Sequence, residues 1–202
     1  MVHNDRPRSA VRVYRGVFIL IPVALVGLGA SPRAASLPGP PVGPGNWPRL
    51  QIPDPVGHHV ARKALDLARD RLADVDCVDL LTAFKDRAGR PLDERLGELA
   101  VDPQTYITLL FFVDGSRDEP CVRGSFAFTT PGSRVVRICV QEMKRTFHAN
   151  PEYAVSRLIH EMLHTLGLGE NPPSSDEITR RVLGACGRRA RSNKRDHQQV
   201  AR

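Results

Sequence analysis

His160 and His164 stand four residues apart, with Glu161 beside the first of them. On a helix that spacing puts both imidazoles on one face, one turn apart, where two neutral ring nitrogens can hold a single Zn²⁺. Glu161 is then within reach of a water on the metal and can act on it as general base. The same five residues also occur in helices whose histidines are only solvated or hydrogen-bonded, so the surrounding sequence has to carry the reading.

Asn150-Pro151-Glu152 predicts the start of that helix. Asn can cap the free N–H groups, Pro is tolerated at the first helical position, and Glu suits the positive end of the helix dipole. Val155, Leu158, Ile159, Met162, Leu163 and Leu166 recur at spacings of three and four and form an apolar stripe. His160 and His164 fall roughly opposite it, with Tyr153 and Arg157, and so point into a cleft. Arg157 is also placed to pair with Glu161 at i, i+4. Gly167 follows the last turn, where a left-handed residue ends a helix and reverses the chain.

The string from His160 to Glu170 resembles the metzincin zinc endopeptidases, whose pattern is HExxHxxGxx followed by a third ligand, usually His and in the snapalysin-like branch Asp, where this chain has Glu. The resemblance implies metal ligands His160, His164 and Glu170, with Glu161 catalytic. It does not extend to the Met-turn, because the methionines are Met1, Met143 and Met162 and none follows the motif. The longer string HTLGLGENPPSS is similar to that of uncharacterised secreted bacterial proteins. Ser174-x-x-Glu177 reads as a capping box, which gives Asp176 and Glu177 helix-start roles and leaves Glu170 as the remaining carboxylate outside the tail. His148 and the last helix stay open as other sources of the third ligand.

Four Arg precede an apolar run over 17–30, a secretory signal layout, with an uncleaved membrane anchor as the other reading. Residues 31–53 are rich in Pro and Gly and read as a linker. Residues 54–186 form the predicted domain, and 187–202 a disordered basic tail. Within the domain an amphipathic helix is expected over 54–73, on Val56, Val60, Ala64, Leu67, Ala68 and Leu72, with His58 and His59 read as solvated. Shorter helical pieces are expected at 80–84 and 91–99, a buried strand at 106–113, and a hairpin over 122–140 turning at Pro131-Gly132. A last helix should run to Cys186. The fold class is α+β, a single domain with a small, mostly antiparallel sheet packed on the active-site helix. That order resembles zincins, in which an edge strand, here near 126–130, binds the substrate backbone.

The formal charge is +7, but the first thirty residues carry +3 and the last sixteen +5, leaving −1 for the stretch between them. The basicity is therefore no argument for nucleic acid, although the tail can contact an anionic envelope surface. Cys77, Cys121, Cys139 and Cys186 suit an exported chain with two disulfides, for which three pairings exist. Cys121–Cys139 and Cys77–Cys186 are favoured, although the predicted hairpin register sets Cys139 opposite Gly124. The expectation is a secreted or periplasmic, monomeric zinc metallopeptidase acting on a protein or peptide. The rival is a catalytically inactive zinc-containing binding module of the cell envelope.

Overall fold

A computed structural model describes residues 48–187; the predicted signal, most of the linker and nearly all of the tail lie outside the described residues. The described chain is mixed α+β, and its elements serve mainly to hold one buried helix. In chain order they are β1 (Arg49–Gln51), α1 (Pro55–Arg71), α2 (Val75–Ala83), α3 (Leu92–Glu98), α4 (Pro103–Thr108), β2 (Phe111–Asp114), α5 (Glu119–Val122), β3 (Ala127–Phe128), β4 (Val135–Ile138), α6 (Val140–Ala149), α7 (Pro151–Thr165) and α8 (Ser175–Cys186). No helix among the described residues is long and apolar enough to cross a membrane.

The sheet runs β1-β2-β4-β3, with β1 and β4 parallel to β2 and only β3 antiparallel to β4. The expected mostly antiparallel sheet is thus replaced by a mixed one: β4 runs parallel to β2, and β1, which falls within the stretch read as linker, adds a second parallel pair. Arg49-Leu50-Gln51 alternates, but three residues between prolines are too short a run to mark a strand; β1 exists because its backbone pairs with β2 and because Ile52 behind it is buried. The predicted strand at 106–113 begins only at Phe111. Upstream, Asp102 accepts from the Thr105 amide at 2.7 Å and Pro103 stands at the first helical position, so local capping wins over the β propensity of Tyr106 and Ile107.

The hairpin turns where expected. Ser133 N–H donates to Thr130 C=O at 2.9 Å, and Gly132 takes φ +84° after Pro131. Its strands are shorter than predicted, since 119–122 is helical and Val140 opens α6, a helix the pattern did not mark. The pairing of Ala127 with Ile138 sets Cys139 against Phe126, not Gly124, and α5 brings Cys121 within 5.0 Å of Cys139 between Cα atoms. The disulfides are Cys121–Cys139 and Cys77–Cys186, the favoured pairs, and they point to an extracytoplasmic location.

The buried face of α1 keeps Ala64, Ala68 and Leu72 of the expected stripe but is rotated away from Val56 and Leu67. Gly57, Ala61, Ala64, Leu65 and Ala68 are buried, whereas Val56 is 61% exposed and Leu67 36%. Small side chains let α1 lie close to its neighbours: a Cβ on Gly57 would stand 2.4 Å from Val140 Cγ1. The helix is packed by closeness, not by bulk.

Candidate metal centre

Asn150 caps α7 as predicted, its side chain accepting from the Tyr153 amide at 3.0 Å, and from Ala154 to Thr165 every residue of the helix except Arg157 is buried. The expected apolar stripe is all buried, but so are His160, Glu161 and His164, at 5% exposure or less. Buried polar groups need partners, and these specify the site.

At the end of α7, Gly167 takes φ +109°; its amide donates to His164 C=O and the Leu168 amide to Leu163 C=O. This pair of bonds is the Schellman arrangement that closes a helix with a glycine. The reversal has two chemical consequences. It returns Glu170 to the histidines, and it turns the Leu168 carbonyl onto His164 Nδ1 at 2.8 Å. A carbonyl only accepts, so Nδ1 of His164 carries the proton and Nε2 presents its lone pair.

His160 is held from the other side. Its Nδ1 lies 2.8 Å from Thr179 Oγ1 on α8, a helix capped at Ser174 and tied to α2 by Cys77–Cys186. A hydroxyl both donates and accepts, so Thr179 serves either tautomer of His160. The two Nε2 atoms then stand 2.9 Å apart, with Glu170 Oε1 3.2 Å from His164 Nε2 and 3.6 Å from His160 Nε2. Two facing ring nitrogens and a carboxylate form a group able to hold a metal ion. A four-coordinate ion with bonds of about 2.0–2.1 Å keeps its ligands about 3.3 Å apart, close to the spacing found. Each histidine is oriented through its other ring nitrogen, as metal-ligating histidines are.

Burial holds the His160 imidazole down to about 3, reinforced by His164 and Arg157. Burial also pushes the Glu161 carboxyl up to about 8; Arg157 opposes this, Glu170 adds to it, and the Thr129 backbone amide opposes it. Glu161, His164 and Glu170 line a cleft of about 410 Å³ together with Ala127, Phe128 and Thr129. Strand β3 pairs only with β4 and is therefore a sheet edge, and Gly132 N–H donates to His164 C=O at 2.8 Å, which ties its turn to α7.

Other sequence candidates lie apart. His58, His59, His148, Asp176 and Glu177 are not in the metal-competent group. Tyr153 is 36% exposed and does not line the cleft. Arg157 does line it but makes no ion pair with Glu161; its guanidinium stands 5.9 Å from the Phe126 ring centroid. Sequence reasoning missed Thr179 and the Leu168 carbonyl. Thr179 sits one residue after Ile178 of the predicted last helix, with nothing in the pattern to separate it from a solvated threonine. No protein-family model, curated protein or solved structure matches the chain.

Proposed function

We infer that the protein is an exported zinc-dependent peptide hydrolase, zincin-like in fold and resembling the metzincins, with a carboxylate as third ligand. The observation that supports this best is the pair of Nε2 atoms 2.9 Å apart, each ring oriented through its Nδ1, with Glu170 closing the triangle. Two imidazoles and one carboxylate make an open three-ligand set of the kind catalytic zinc uses. His160, His164 and Glu170 would hold the ion. When bound, zinc supplies a Lewis acid that polarises a carbonyl oxygen and acidifies water.

The chain's own contribution to hydrolysis is positional and acid–base. The free edge of β3 can hold an extended peptide through backbone hydrogen bonds, bringing a peptide carbonyl into the cleft beside His164 and Glu170. Glu161, on the same cleft wall and with its proton affinity raised by burial, takes the proton of the attacking water and returns it to the leaving amine. The bond broken is the C–N bond of the peptide, and the new C–O bond completes a carboxylate.

The test combines metal analysis with peptide hydrolysis. Wild type should carry one zinc per chain and cut casein. Glu161→Gln should keep the zinc and lose the cutting, and His160→Ala/His164→Ala should lose both. Zinc retained by the double variant, or equal cutting by wild type and Glu161→Gln, would sink the reading.

A further inference from the structure

The cleft lined by His164 and Glu170 of the metal-competent group is also lined by two arginines, Arg157 and Arg87. Arg157 stands one turn before Glu161 on α7. Its Nε is buried with no hydrogen-bond partner, and among the described residues neither guanidinium has a carboxylate within 4.0 Å. Elsewhere in the fold arginines do find acids, as in Arg71–Glu152 at 2.6 Å and Arg90–Asp86 at 3.0 Å. An arginine side chain only donates, and a buried donor without a partner is unfavourable. The Phe126 ring centroid stands 5.9 Å from the Arg157 guanidinium, near the outer distance at which a cation meets an aromatic face, and such a contact occupies none of its N–H groups.

Arg87 is held at the cleft from a different element. The Asp86 carboxylate accepts from the Ala88 and Arg90 amides at 2.8 and 2.9 Å and shapes a tight turn. Asp86 also bridges to Leu168, two residues before Glu170. The Arg87 stem lies over Gly169, where an added Cβ would stand 3.3 Å from Arg87 Cγ. A glycine at that position therefore leaves room for the arginine. Against these two cations the cleft offers two carboxylates, Glu161 and Glu170, which formally balance them, so a bound divalent ion would leave the cleft with a positive excess. The excess is local, because the chain between its basic ends is close to neutral. A cleft so charged attracts an anionic group and rejects cationic ones.

We propose that the cleft selects peptides bearing a carboxylate, which Arg157 binds through its free donors with Arg87 as a second donor at the cleft mouth. The proposal rests on the peptide-hydrolase reading for the identity of the ligand as a peptide. An acidic side chain and a free C-terminus present the same group, and a fork of N–H donors matches either one in a bidentate manner.

The experiment uses alanine hexapeptides with a single Glu moved through each position, their Gln counterparts, and free and amidated C-termini of each. Affinity is measured on zinc-loaded full chain carrying Glu161→Gln, and kcat/KM on wild type. At one register the Glu peptide should bind at least about 10-fold tighter than its Gln counterpart, the effect of one charge-assisted hydrogen bond. Adding Arg157→Met should erase that preference, and Arg157→Lys should retain part of it. Arg87→Met, at an exposed position, should reduce the preference without touching the packing of α7. A preference lost on amidation and indifferent to Glu against Gln would assign the carboxylate to the chain terminus, which supports the site with that source. Equal affinity for all four peptide types would overturn the proposal. So would an Arg157→Met variant that weakens every peptide alike or lowers kcat without changing selectivity, since the arginine would then act on the reacting centre. Zinc-loaded wild type that cuts no peptide while the Glu preference persists would refute the hydrolase reading and leave this site standing.

Discussion

Removing one hydroxyl, by Thr179→Val, tests whether α8 is part of the metal centre or only packs against it. Thr179 is 6% exposed and His160 1%, so when the hydroxyl 2.8 Å from Nδ1 is lost, water has little access to replace it. Val fills nearly the same space, which keeps any cavity contribution small. The metal-free protein should lose about 1–3 kcal/mol for a buried ring nitrogen left without a partner. Zinc affinity should fall by roughly 10- to 100-fold, the usual loss when the partner of a liganding histidine is removed. Thr179→Ser keeps the hydroxyl and should restore most of both. Competition with a chromophoric chelator reads the affinity, and urea unfolding of metal-free protein reads the stability. Zinc binding by Thr179→Val within about twofold of wild type would refute the reasoning, as would an equal loss in Thr165→Val, whose hydroxyl serves Tyr106 and Met162 and no histidine.

Two further outcomes follow from the same geometry. Glu170→Ala should release zinc on mild chelation while Glu177→Ala keeps it, because Glu177 gives Ser174 only its backbone amide at 3.2 Å and its side chain adds at most about 1 kcal/mol at the helix start; the reverse order would move the third ligand to α8. Metal-free protein should be most stable between about pH 4.5 and 6.5. Glu161, raised to about 8 from 4.5, contributes stability that is lost as pH rises from 4.5 to 8. His160, lowered to about 3 from 6.5, contributes stability that is lost as pH falls from 6.5 to 3. The two slopes cancel where they overlap, and stability should drop by about 1.4 kcal/mol per pH unit from 6.5 to 8. Glu161→Gln should flatten that alkaline limb in urea titrations, and a wild type already flat there would contradict the burial of Glu161.

Sequence by itself determined the motif helix. Asn150, Pro151 and the apolar stripe act within a few residues of one another, and a helix is decided mostly at that range. The reversal at Gly167, the type II turn at Pro131-Gly132 and the cap at Ser174 were legible for the same reason. Tertiary structure decided what no local pattern carries. Strand β1 is only three residues long and exists through pairing with β2. The face of α1 kept Ala64, Ala68 and Leu72 of the stripe that periodicity marks but turned toward Gly57, Ala61 and Leu65 and away from Val56 and Leu67, because the small residues let it approach closely. Most of the chemistry of the site lies in this second class. Thr179 reaches His160 across 19 residues because α8 packs on α7, held to α2 by a disulfide whose cysteines are 109 residues apart. The absence of an ion pair between Arg157 and Glu161, adjacent on one helix face, was likewise settled by burial and by the Phe126 ring. Local spacing names the ligands because a helix repeats every 3.6 residues; the groups that orient them meet through packing, which has no period in the sequence.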